Sequence, residues 1–143
     1  MPSAADDVVD AVRTSGPLRF DRYLDLALYG PNGFYCAGGV AGRRGDFLTS
    51  PEVGPLFGAV LGRAIDRWWD DLGAPAAITV VDAGAGPGTL ARSILTTDLR
   101  CRDALRYVAV EIAETQRERH PSGIESVAAM PEPDGPAIVI ANE

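Results

Sequence analysis

Lysine is missing from this 143-residue chain, and all 13 of its positive charges are arginine. A phosphate-cradling G-x-x-x-x-G-K-[ST] loop is therefore excluded, because its cation is a fixed lysine. Basic charge is short overall. Twenty acidic side chains leave a net charge of -7 and an isoelectric point near 4.6, which argues against nucleic acid as a partner, since phosphate binding needs a basic face. Cys36 and Cys101 are too few and too far apart for a disulfide scaffold or a metal framework. No metal is expected, and a reducing cytoplasm is the expected compartment. The first ten residues lack a basic, apolar leader and carry Asp6, Asp7 and Asp10, unlike an arginine-rich transit peptide. No run approaches the roughly 20 apolar residues of a membrane helix, and no repeat or low-complexity tract is present. What remains is an ordinary globular composition, 46% hydrophobic, with the length of one domain and enough apolar side chains for a sizeable core.

The most informative stretch is Val80-Val81-Asp82-Ala83-Gly84-Ala85-Gly86-Pro87-Gly88-Thr89-Leu90. Ile78, Val80 and Val81 form a short β-branched run, the pattern of a strand buried on both faces of a parallel sheet. The run ends in a glycine-rich turn, where the backbone approaches a ligand closely, and Pro87 fits the first turn of a following helix whose apolar face is Leu90, Ile94 and Leu95. The glycines at 84, 86 and 88, with Thr89 where G-x-G-x-x-G has its third glycine, weaken a dinucleotide reading without removing it. Asp82 repels anions and attracts an ammonium or a hydroxyl, so a ligand with a cationic amine and a ribose fits better. A second strand, Arg106 to Glu111, ends in a carboxylate about 20 residues beyond the glycines, where such folds bond ribose hydroxyls.

The rest of the chain supplies packing and a loop. Ser3 caps a short helix bearing Val8, Val9 and Val12, and a second helix after Gly16-Pro17 carries Phe20, Tyr23, Leu24, Ala27 and Leu28 as core side chains up to Gly30-Pro31. Residues 30–50 read as a long glycine-rich loop containing Arg43-Arg44, and loops of this length are usually lids or disordered. Ser50 caps and Pro51 opens the strongest helix, whose stripe of Val53, Leu56, Phe57, Val60, Leu61, Ala64, Ile65 and Trp68 runs to Gly73. Trp68 belongs to that stripe and Trp69 lies beside it, so both read as packing. Strands over 77–82 and 106–111, helices over about 87–96 and 112–119, a short strand over Gly123–Val127 and a buried strand over Ala137–Ala141 complete the pattern. His120, the single histidine, reads as a surface residue at a helix end.

Asp82-x-Gly84-x-Gly86-x-Gly88-Thr89 followed by Glu111 resembles the donor site of class I S-adenosylmethionine-dependent methyltransferases. Tyr29-Gly30-Pro31-Asn32-Gly33-Phe34-Tyr35, the run Gly45-Asp46-Phe47-Leu48-Thr49-Ser50-Pro51-Glu52 and the terminal Ala141-Asn142-Glu143 narrow the resemblance to the MidA-like family, which includes a mitochondrial protein arginine methyltransferase. Asp82 departs from the glutamate expected there but keeps the carboxylate.

The resemblance implies an α/β, Rossmann-like class I methyltransferase sheet of about four strands, incomplete, behind an N-terminal helical cap. Residues 1–75 would form that helical region and 76–143 the first half of the donor domain. S-adenosylmethionine is the implied cofactor, held by Asp82, Gly84, Gly86, Gly88 and Glu111, with Met130 near the adenine. Asp46, Thr49 and Asn142 fall to the substrate or lid side. The implied reaction is methyl transfer to an arginine side chain of a protein substrate, with Glu52 and Glu143 as the catalytic carboxylates. Family members continue through further strands, so the chain reads as an N-terminal part, with an exposed sheet edge that invites a partner or a homodimer. A donor-binding scaffold or assembly factor without turnover, and a NAD-dependent oxidoreductase, remain the alternatives.

Overall fold

The computed structural model describes residues 2–39 and 48–142. Its centre is a four-stranded, fully parallel sheet: β1 (Ile78–Ala83), β2 (Leu105–Val110), β3 (Glu125–Val127) and β4 (Ala137–Ala141), in the order β3-β2-β1-β4. The α/β expectation from the sequence is met. The chain steps outward from β1 to β2 to β3, then returns across β1 to lay down β4. That reversal opens a crevice at the carboxyl ends of β1 and β4, the place where sheets of this kind bind ligands.

Hydrophobic alternation divides the sheet into two faces. Val80, Tyr107 and Ile140 point to one side and pack with Leu90 and Ile94 of α5 (Thr89–Leu95) and Ile65 of α4 (Pro55–Asp71). Val81, Val108 and Val110 point to the other and pack with Val127. β1 is buried from Ile78 to Asp82, which is why apolar Val80 and Val81 follow one another without alternation.

The long helix expected from Ser50 to Gly73 is two helices. α3 covers Ser50–Val53, with Thr49 rather than Ser50 in the N-cap position, and α4 begins at Pro55. Pro55 donates no backbone hydrogen bond, and its ring pushes Gly54 out of the helical region, so the helix restarts there. The expected apolar stripe is also only half buried. Phe57, Leu61 and Ile65 face the core, whereas Val53, Leu56, Val60 and Trp68 are exposed, Leu56 by 76%. The cause is a close helix crossing: a Cβ placed on Gly58 would lie 2.3 Å from Ser93 Cβ of α5. α4 thus meets α5 through small residues, and the flanks of its stripe turn outward. Trp69, not Trp68, joins the core, its indole N–H donating to the Pro75 carbonyl at 2.9 Å.

Further along, Asp66 of α4 ties down the segment before β2 by accepting backbone N–H bonds from Arg100 and Cys101, both at 3.1 Å. Burial raises its carboxyl pKa, but those bonds and the Arg100 guanidinium outweigh burial and hold it below the usual value.

At the N-terminus α1 (Ala4–Ser15) carries the expected Ser3 cap, closed as a reciprocal capping box with Asp6. The second expected helix is shorter and less regular: α2 (Phe20–Leu24) passes into a π-helical turn, Asp25–Tyr29, that ends at Gly30. Neither α1 nor α2 contains a buried residue, and Phe20, Tyr23 and Leu24 are exposed, contrary to the expected core role. The helix expected over 112–119 is a single turn, α6 (Glu114–Arg117). No helix among the described residues is long and apolar enough to cross a membrane.

Candidate functional site

The glycine turn after β1 is held on both sides by backbone and side-chain bonds. Gly84 and Ala85 both donate to the Val110 carbonyl at 3.0 Å. Gly84, Gly86 and Gly88 have φ of 77°, 53° and 78°, the left-handed region that glycine adopts without a steric penalty. The carboxylate of Glu111, one residue past β2, accepts the Gly86 N–H at 3.0 Å and the Ala113 N–H at 2.8 Å. Glu111 therefore fastens the loop to the strand end, and an ionised carboxylate with two bonds retains further lone pairs.

Asp82 sits below this loop with only 2% exposure. Tyr107 on the neighbouring strand donates its hydroxyl to Asp82 Oδ2 at 3.0 Å. Burial raises the Asp82 pKa to about 6, against the lowering effect of the Tyr107 bond. Burial, followed by the adjacent Asp82 charge, pushes the Tyr107 phenol well above its ordinary value. A buried carboxylate of this kind favours a cationic partner, which restores its ionised form.

Asp82, Gly84, Gly86 and Glu111 line one cavity at the carboxyl ends of the strands, and Thr49, Glu52 and Asn142 line it as well. Residues separated by ninety positions in sequence thus share one space. Two expected site residues are absent from its wall. Gly88 instead turns the chain into α5 and packs against Pro121 and His120. Met130 is 54% exposed, since the chain leaves β3 after Val127 and carries it away from the cavity. Asp46 and Glu143 lie outside the described residues.

Three lining side chains lack a periodic sequence signal: Tyr29, Tyr35 and Gln116. Tyr29 and Tyr35 stack with ring centroids 5.5 Å apart, and burial, then Glu111, then Tyr35 raise the Tyr29 pKa. His120 is no idle surface residue either. Its Nε2 lies 2.9 Å from the Gly86 carbonyl and its Nδ1 2.8 Å from Ser126 Oγ. A carbonyl only accepts, so Nε2 carries a proton and donates it to Gly86. The solitary His-Pro pair gave no hint of this, because the contact joins positions 34 residues apart.

Among the described residues no group of three or more His, Cys, Asp or Glu side chains is arranged to hold a metal ion. The wall offers three carboxylates, Glu52, Asp82 and Glu111, with a glycine turn and the amides of Gln116 and Asn142. It suits a ligand bearing an ammonium and hydroxyls, the chemistry of S-adenosylmethionine.

Comparison with known proteins agrees with this geometry. Residues 60–143 match the family described as "Putative S-adenosyl-L-methionine-dependent methyltransferase". The mitochondrial protein arginine methyltransferase NDUFAF7 homolog of Drosophila melanogaster is 36% identical over 94 residues, covering 65% of this chain and 22% of the relative. The mitochondrial protein arginine methyltransferase NDUFAF7 of Homo sapiens is 30% identical over 110 residues, covering 75% of this chain and 25% of the relative. A crystal structure of a Burkholderia thailandensis protein bound to S-adenosyl-homocysteine superposes with a TM-score of 0.71 at 28% identity, over 96% of this chain and 39% of that one. The chain thus spans about a quarter or less of these curated relatives. The cytoplasmic location expected from the acidic N-terminus and sparse cysteines is overturned by these relatives, which are mitochondrial by name. With the matched segment running through the glycine turn, both acids and the whole sheet, the chain belongs to the MidA-like family of S-adenosyl-L-methionine-dependent methyltransferases.

Proposed function

We propose that this chain forms the donor-binding part of a methyltransferase that uses S-adenosylmethionine to modify an arginine side chain of a protein. The observation that carries the proposal is the convergence of Asp82, Glu111 and the Gly84–Gly86 turn on one cavity that also contains Glu52 and Asn142. Residues 1–75 act as a cap over the donor half, 76–143, with Thr49 and Glu52 reaching the cavity from the cap side. The relatives' names support arginine as the acceptor.

In this reading Asp82 receives the ligand's ammonium and Glu111 its ribose hydroxyls, while the glycine turn lets the backbone approach. The bound donor supplies a methyl group on a sulfonium. The chain's remaining task is placement, which by itself accounts for much of the acceleration of a two-substrate reaction. A guanidinium stays protonated in water, so carboxylates must hold it and aim one nitrogen at the methyl. Glu52 has a place in the cavity wall for that role, and Glu143 follows Asn142, which is also in the wall. Asp46 is assigned to the acceptor side with Thr49.

Calorimetric titration with S-adenosylmethionine and, separately, NAD tests the donor site. Saturable binding of the methyl donor alone, weakened in Asp82→Ala and Glu111→Ala, is the expected result; heat from NAD instead would sink the reading. Transfer of labelled methyl to protein arginine, lost in Glu52→Gln or Glu143→Gln of the full-length protein, tests the catalytic assignment. It also separates an enzyme from a donor-binding scaffold.

A further inference from the structure

Gln116 is the most deeply buried polar side chain of the cavity wall apart from Asp82, with 2% exposure. It projects from α6, a single turn whose start is fixed by the bond between the Ala113 N–H and Glu111 Oε1. Its Nε2 donates to the Gly39 carbonyl at 2.7 Å. Because that carbonyl only accepts, the amide orientation is settled: nitrogen toward Gly39, oxygen away from it. The oxygen, Oε1, is buried and has no hydrogen-bond partner among the described residues. Buried side-chain acceptors are nearly always paired, and an exception calls for a cause.

The two carboxylates at the strand ends give this oxygen no hydrogen bond. Asp82 and Glu111 accept hydrogen bonds, and Glu111 is already engaged by two backbone N–H groups. Next to Gln116, Thr115 donates its hydroxyl to the Tyr35 carbonyl at 3.2 Å. Neighbouring side chains of α6 thus clasp the segment carrying Tyr35 and Gly39, and Tyr35 itself faces the cavity.

From this arrangement we infer that Gln116 is a ligand-reading residue: its amide oxygen accepts a polar hydrogen from the nucleoside of the bound donor while its amide nitrogen holds the segment that carries Tyr35 and Gly39. The inference rests on the donor-site reading above. Asp82 answers the ammonium, and a carboxylate end carries no hydrogen to give. The nucleoside has two suitable groups, ribose hydroxyls and an exocyclic amine, on the Glu111 side where α6 is anchored. One amide then both reads the ligand and ties it to the loop.

Calorimetry on the whole chain with S-adenosylhomocysteine tests this, beside its 2′-deoxy and 3′-deoxy analogues and the analogue lacking the exocyclic amine. Gln116→Met, nearly isosteric, is compared with Gln116→Leu and with Thr115→Val, which removes the neighbouring clasp bond alone. The expected result is a loss of about 5- to 100-fold for S-adenosylhomocysteine in the Gln116 variants. That loss should vanish for the one analogue lacking the paired group, which identifies that group as ribose or adenine. Unchanged affinity in Gln116→Met, an equal loss on every analogue, or the same loss in Thr115→Val would overturn the inference while leaving the donor site standing. Absence of binding by the unaltered chain would remove both.

Discussion

Asp82→Asn should make the protein more stable and worse at binding its ligand. The Asp82 carboxyl has its pKa raised from 3.8 to about 6 by burial, so between those values the folded state holds a proton that the unfolded state has released. Stability therefore falls as pH rises through this window, and the full penalty is present above it. At about 1.4 kcal/mol per pH unit, the gap of roughly two units corresponds to about 3 kcal/mol. Asparagine resembles the protonated acid and still accepts the Tyr107 hydroxyl bond, so it escapes that penalty. Denaturant unfolding of both forms from pH 4 to pH 8 measures the difference. The variant should match the parent near pH 4 and exceed it by about 3 kcal/mol at pH 8. Its affinity for a ligand with an ammonium group should drop by about 10- to 100-fold at pH 8, the worth of a charged hydrogen bond. In the parent protein the same ligand should bind progressively less tightly as pH falls below about 6, because the carboxylate must first lose its proton. A stability difference that does not change with pH, or a variant less stable throughout, would refute the role given to burial at this site.

Gly58→Ala gains about 1 kcal/mol of helix propensity, yet its methyl would lie 2.3 Å from Ser93 Cβ and 2.9 Å from the Ser93 carbonyl carbon. Overpacking against a neighbouring backbone costs more than that, so a net loss of about 1–2 kcal/mol is expected in thermal unfolding. Gly62→Ala, which meets the tips of Thr97 and Leu99, should be milder, and a Gly58→Ala protein as stable as the parent would show that α4 and α5 separate easily. His120→Ala removes the donor to the Gly86 carbonyl. Binding of S-adenosylhomocysteine should weaken by about 2- to 10-fold, as for one neutral hydrogen bond. No change in titration would mean that Glu111 and the Val110 carbonyl hold the loop without His120.

The sheet was legible because its evidence is local. β1 and β2 announce themselves as short, largely apolar runs, Thr79 and Arg106 apart, since both faces of each strand are mostly covered, and the glycines and acids at their ends follow within a few residues. The break at Pro55 was also local and visible in the sequence, but the uninterrupted stripe from Val53 to Trp68 obscured it. The stripe misled because periodicity reports which side chains are apolar, not how wide a face the neighbouring helix covers. Gly58 lets α5, and Gly62 the segment just after it, approach so closely that Leu56 and Val60 are left outside.

The parallel α/β sheet, the glycine turn and the two carboxylates Asp82 and Glu111 could be read from the residue order alone, because each depends on residues adjacent along the chain. Tertiary structure decided the company they keep. Tyr35 and Gln116 lie 81 positions apart yet share the wall of one cavity, and Met130, near in sequence to β3, is left outside it. Which strand lies beside which, and which loop folds over the strand ends, follows from burying the whole core at once, and no short window of sequence contains that condition.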